Sequence, residues 1–83
     1  MYHVYLLKDD SSKLYLGYSR NLKLAMDQHL HGKIAATRRM NNPFLYYYES
    51  YDDEHIAKER EKDLKSYGQS YSDLLKRIQL HIV

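Results

Sequence analysis

The chain opens with a β-branched and aromatic run, Tyr2-His3-Val4-Tyr5-Leu6-Leu7. It breaks at the polar cluster Lys8-Asp9-Asp10-Ser11-Ser12-Lys13 and resumes with Leu14-Tyr15-Leu16-Gly17-Tyr18. Two such runs across a short polar loop predict an antiparallel hairpin. Tyr5 and Tyr15 then project from the same sheet near one another, with the register left open. Leu22, Ala25, Met26, His29 and Leu30 follow at the spacing of one face of an amphipathic helix. Ser19 or Asn21 offers its N-cap, and Gly32 suits the position just past its end. Residues 33–43 form a basic loop closed by Asn41-Asn42-Pro43, and Phe44 to Glu49 has the composition of a third strand. Asp52-Asp53-Glu54 opens a second helix, where negative charge meets the positive end of the helix dipole. Its apolar positions are Ile56, Ala57, Leu64 and Tyr67, with Gly68 as the stop. Ser70-Tyr71-Ser72-Asp73 has capping-box spacing for a short third helix carrying Leu74, Leu75 and Ile78. The order is ββαβαα, an α+β layering of helices on a small sheet.

At 83 residues the chain is expected to form a single domain, 1–83. It has no cysteine, which excludes a disulfide scaffold, a thiolate zinc site and a cysteine nucleophile. No apolar run approaches the roughly 20 residues of a membrane helix, and Met1 to Val4 lacks a basic secretory region, so a cytoplasmic protein is expected. The net charge of +2 is uninformative, but its distribution is not. Lys13, Arg20, Lys23, Lys33, Arg38 and Arg39 face only Asp27 across residues 13–39. Such a patch suits a phosphate-bearing partner. Ten tyrosines, beside one phenylalanine and no tryptophan, exceed what strand filling requires, so some phenols should reach polar surroundings.

Two residues interrupt the apolar stripes. Glu61 lies four residues after Ala57 and three before Leu64, within the face that should meet the core. A carboxylate there needs a partner, because desolvating an unpaired charge is too costly. Either it pairs with neighbouring Arg60 or reaches solvent, or it points into a cleft and holds a hard divalent cation. His29, on the first helix, is either a satisfied core histidine or a group for proton transfer. His3, His31, His55 and His81 show no metal-ligand spacing, so a zinc site is not expected. A glycine-rich phosphate loop and a Gly-x-Ser-x-Gly elbow are also missing.

Several short pieces fall in one recognisable order. His3-Val4-Tyr5 and Tyr15-Leu16-Gly17 stand as two tripeptides, followed by Ser19, Asn21, Leu22, position 25 and His29. Then come Thr37-Arg38-Arg39, Pro43, the strand ending Tyr48-Glu49, and Ala57-x-x-x-Glu61-x-x-Leu64-Lys65. On these residues the chain resembles the GIY-YIG endonucleases, particularly their small stand-alone bacterial members. The first tripeptide keeps only the tyrosine and a β-branched residue before it; the second has leucine for isoleucine. The resemblance implies a three-stranded antiparallel sheet with about three helices around it. It also implies a single divalent metal ion, Mg²⁺ or Mn²⁺, on Glu61. Tyr5 and Tyr15 would line the cleft, one of them deprotonating the attacking water, and His29 would position or deprotonate that tyrosine or water.

One departure stands out. The family's catalytic arginine falls at position 25, where this chain has Ala25. Alanine cannot imitate a planar, permanently charged fork on the scissile phosphate. Either the chain is a natural member that has lost catalysis, or arginine was replaced to silence the nuclease; the survival of every other expected group favours the second. Arg60 or Lys23 are the candidates to stand in for it. The expectation is a metal-dependent endonuclease that hydrolyses phosphodiester bonds in DNA, impaired at Ala25. Arg20, Lys23, Lys33, Arg38, Arg39 and Lys65 would contact the nucleic acid. The alternatives are a non-catalytic nucleic-acid-binding module on the same fold and, more weakly, a protein-interaction domain. No obligate protein partner is implied, and the strand type is open, though aromatic residues along a basic groove suit unstacked bases.

Overall fold

Alternation along the first strand sends successive side chains to opposite faces, and both faces find a core. The computed structural model describes residues 1–80. Its elements are β1 (Tyr2–Lys8), β2 (Leu14–Ser19), α1 (Leu22–Leu30), a 3₁₀ turn (Ala35–Thr37), β3 (Phe44–Tyr51), α2 (Glu54–Lys65) and α3 (Gln69–Leu80). The architecture is α+β in the expected order ββαβαα, with three antiparallel strands arranged β2-β1-β3. Val4 and Leu6 of β1 join Leu16, Ala57, Leu64 and Leu74 in a first core under α2 and α3. Tyr5 and Leu7 point the other way and join Ala25 of α1, with Tyr15, Leu22, Met26, Met40 and Leu45 around them.

The register places Tyr5 opposite Gly17 and Leu7 opposite Tyr15, so the two tyrosines share a face as diagonal neighbours. On the other side of β1 a register shift between Leu6 and Leu7 leaves Tyr46 as a bulge. Both Tyr46 and Tyr47 therefore lie against the first core.

Local chemistry sets the helix bounds. Asn21 caps α1, its side chain accepting from Leu24 N at 3.0 Å. Ser19 instead braces the cap, donating to the Asn21 carbonyl at 2.8 Å. The buried stripe of α1 is Ala25 and His29; Leu30 falls outside it and is exposed. Asp53 caps α2 by accepting from His55 N and Ile56 N. The core side of α2 is Ala57 and Leu64, while Ile56 and Tyr67, expected there, are exposed. Ile56 is one position off the stripe. Tyr67 has left the helix: it takes the left-handed backbone (φ 54°) that ends α2, a role expected of Gly68. α3 consequently starts at Gln69, just ahead of its capping-box residues.

Two small features hold the site side of the sheet. At the hairpin turn, buried Asp9 accepts at Oδ1 from Ser11 N, Ser11 Oγ and Lys13 N, and at Oδ2 from Asn41 N. This ties the turn to the approach of β3. Burial pushes the Asp9 carboxyl up, but the Asn41, Lys13 and Ser11 donors outweigh it and hold it below its ordinary value. The depressed folded value makes its contribution present above the unfolded pKa of about 3.9 and lost as pH falls through the folded one. Asp9→Asn should therefore lower the urea midpoint at neutral pH and lower it much less in strong acid; equal losses at both would refute the ionised role.

The second feature is Gly17. A Cβ there would lie 2.6 Å from Cζ and Oη of Tyr5 and 3.0 Å from Cε2 of Tyr15. The Tyr5 ring is pinned by its neighbours, so it cannot simply swing aside. Gly17→Ala should cost about 1–3 kcal/mol in denaturant unfolding, as overpacking does, and should displace the Tyr5 ring. A variant as stable as the parent would show that the ring has room to move.

Candidate active site

Burying a tyrosine requires a partner for its hydroxyl. Tyr5, in the middle of β1, has its Oη 2.7 Å from Nε2 of His29. The histidine reaches it from the last turn of α1 and is only 4% exposed. Its other ring nitrogen, Nδ1, lies 2.7 Å from Oγ1 of Thr37 at the end of the 3₁₀ turn. Tyr15 closes the group, its ring centroid 5.2 Å from that of His29 and 6.5 Å from that of Tyr5. Position 25 lies one turn before His29 and packs against Tyr5 and Leu7 at 7% exposure. The structure thus brings Tyr5, Tyr15, Ala25 and His29 together.

Glu61 bears on the same group from α2, which packs against β1 and β2. Burial, then the neighbouring Tyr15 and Glu61, push the Tyr5 phenol well above its usual value. Burial lowers the basicity of His29, so both groups are neutral near pH 7. Glu61 does not pair with Arg60. Its Oε2 lies 3.1 Å from Nζ of Lys65, and its side chain is 21% exposed.

Among the described residues no three His, Asp or Glu side chains converge as a metal cage, and His81 lies outside the described residues. A hard cation such as magnesium needs no cage: one or two carboxylates, waters and substrate phosphates suffice. Glu61, partly exposed, fits that pattern as a sole protein ligand. It does not fit zinc, which takes several protein ligands.

The basic candidates divide. Lys23, Lys33 and Arg39 are exposed and have no ion-pair partner among the described residues. Arg20 is held by Glu54 at 2.7 Å, Arg38 donates through Nε to the Gly32 carbonyl at 3.0 Å, and Lys65 is held by Glu61. Arg60 forks onto Glu49 through bonds of 2.9 and 3.0 Å. Glu49 lies opposite Val4, so that pair sits on the sheet face turned away from Tyr5. Arg60 is therefore not placed to stand in for an arginine at position 25. Sequence reasoning missed what Thr37 and Gly17 do around Tyr5. Thr37 figured only as part of a motif, and no periodicity marks a polar residue on a one-turn helix as buried.

A family profile described as the GIY-YIG catalytic domain matches residues 1–72. Two UPF0213 proteins, from two strains of Staphylococcus epidermidis, are each 32% identical to the chain over 77 residues, covering 92% of it and 92% of the relative. No solved structure matches significantly. The tyrosines set diagonally on one face of β1 and β2, the histidine behind them and the profile match over most of the length agree: the chain belongs to the GIY-YIG nuclease family.

Proposed function

We propose that the chain is a divalent-metal-dependent endonuclease of DNA phosphodiester bonds whose cleavage is impaired by Ala25. The observation that carries this reading is the 2.7 Å contact between the buried Tyr5 hydroxyl and His29, beside Tyr15 and within electrostatic reach of Glu61. Hydrolysis of a phosphodiester needs an acceptor for the proton of the attacking water and positive charge at the phosphate oxygens. Tyr5, backed by His29, supports the first. A magnesium or manganese ion on Glu61 would supply part of the second. Lys23, Lys33, Arg38 and Arg39, with Arg20 and Lys65 in lesser roles because carboxylates hold them, would attract the backbone. What remains missing is a fixed cation beside the scissile phosphate. Ala25 leaves apolar packing there.

That gap also favours the second reading, a nucleic-acid-binding module without catalysis. The two separate experimentally. The chain should bind DNA with an affinity that falls steeply with salt, and should cut it very slowly. Ala25→Arg should raise magnesium- or manganese-dependent cleavage by on the order of 10²–10³ or more with little change in binding. Ala25→Met, which supplies the stem without the charge, should not. A folded, DNA-bound Ala25→Arg variant that cuts nothing would establish the binding module; vigorous cutting by the Ala25 chain would show that arginine is dispensable here.

Glu61→Gln removes one charge and keeps the shape of the side chain. It should abolish or strongly weaken manganese binding, read directly by titration, while leaving thermal stability in metal-free buffer nearly unchanged. The Glu61–Lys65 pair it breaks is a partly exposed i,i+4 pair worth about 0.5 kcal/mol or less. Unchanged manganese affinity would remove Glu61 as the ligand.

A further inference from the structure

Thr37 is 1% exposed and the last residue of the 3₁₀ turn Ala35–Thr37. Its position comes from the backbone: Thr37 N donates to the Ile34 carbonyl at 3.1 Å, and Oγ1 donates to the same oxygen at 3.4 Å. That hydroxyl also lies 2.7 Å from Nδ1 of His29. We propose that Thr37 is a positioning residue: its hydroxyl, spent as a donor on the Ile34 carbonyl, accepts from His29 Nδ1–H and thereby fixes the imidazole tautomer whose Nε2 lone pair receives the Tyr5 phenol proton.

The argument is a count of hydrogens. A threonine hydroxyl has one to give, and a neutral imidazole has one. In the proposed arrangement the threonine hydrogen rests on Ile34, so the short Nδ1 contact carries the imidazole's own. Nε2 is then bare, and the 2.7 Å contact to Tyr5 takes its hydrogen from the phenol. Among the described residues no buried side-chain nitrogen or oxygen lacks a partner, so both ring nitrogens of His29 are engaged. The opposite tautomer would place a hydrogen on Nε2 aimed at the phenol oxygen. The phenol could then pass no proton to the ring.

The consequence deepens the nuclease reading and rests on it. As water attacks phosphorus, its proton passes to the Tyr5 oxygen while the phenol proton moves to Nε2. The imidazolium that results keeps its Nδ1–H on Thr37 and later releases one proton to solvent. The bond between phosphorus and the leaving oxygen breaks as the new one forms, and the leaving alkoxide takes a proton from solvent, which balances the one the imidazolium releases. Thr37 touches neither substrate nor water. It acts through His29.

The test reads the tautomer itself. The full chain labelled with ¹⁵N-histidine, in metal-free buffer without DNA, should show His29 protonated at Nδ1 and bare at Nε2. Thr37→Ser should keep that pattern, and Thr37→Val should shift His29 towards the Nε2–H form. An Nε2–H tautomer in the parent chain, or an unshifted one in folded Thr37→Val, overturns the proposal; should Thr37→Val fail to fold, the parent and Thr37→Ser spectra still decide it. In the Ala25→Arg background, Thr37→Val should lower kcat on the order of 10²-fold at unchanged KM, with Thr37→Ser restoring most of it. If Ala25→Arg does not cut, the nuclease reading fails while the spectra still decide the tautomer.

Discussion

A phenol taken out of water must find a lasting hydrogen-bond partner, and the site side of this protein is organised by that need at Tyr5. The residue sits on the central strand, so neither strand edge nor solvent can serve it. Gly17, directly across the ladder, gives up its side chain because the ring lies over it. The helix α1 starts at a capping asparagine, and two turns later presents His29 at the height of the hydroxyl. The 3₁₀ turn then places Thr37 behind the ring. Hairpin, helix and loop thus meet at one hydrogen-bonded chain, Tyr5–His29–Thr37–Ile34. A change in any of them is felt at the phenol.

The opposite face solves a similar problem with charge. Glu49 on the edge strand β3 accepts from Tyr47 and Tyr51 and from both arms of the Arg60 fork, and Arg77 of α3 donates to the Tyr47 hydroxyl. Burial raises the Glu49 carboxyl, but Arg60 and the two phenols hold it below its ordinary value. Burial and Glu49 in turn push the Tyr47 phenol up to about 12. Here α2 is fastened to this face of β3 by a bidentate ion pair, which carries more geometric specificity than a lysine would. The arrangement also accounts for several of the tyrosines: Tyr47 and Tyr51 pack their rings on the first core and spend their hydroxyls on Glu49.

Much of this was legible in the sequence because it follows from period and punctuation. The strand and helix order, the shared face of Tyr5 and Tyr15, and the interruption at Glu61 are all visible as patterns of apolar positions. What the pattern misjudged has local causes. Tyr67 was assigned to a helix face and Gly68 to its end, yet the tyrosine adopts the left-handed turn, which a propensity rule gives to glycine. The ion pair between Glu61 and its chain neighbour Arg60, one of the alternatives the sequence leaves open, does not form: a helix aims adjacent residues about 100° apart, so Arg60 turns to β3 and Glu61 to its own Lys65. Thr37 lay beyond reach because its value comes from a partner eight residues away around a loop of no regular period.

The charges around Tyr5 give position 25 its weight in the proposed function. Tyr15 and Glu61 both act to keep the phenol protonated, and burial adds to them. Among the described residues the cation paired near this group is Lys65, and it is already committed to Glu61. A guanidinium at position 25 would oppose those influences at once, lowering the phenol towards a range where it can exchange a proton, besides meeting the phosphate. On the proposed nuclease reading its absence would act twice: the phosphate would lack a fixed positive partner, and the phenolate would stay too scarce to take part in proton transfer. Alanine at position 25 would then be felt at two steps of the same chemistry.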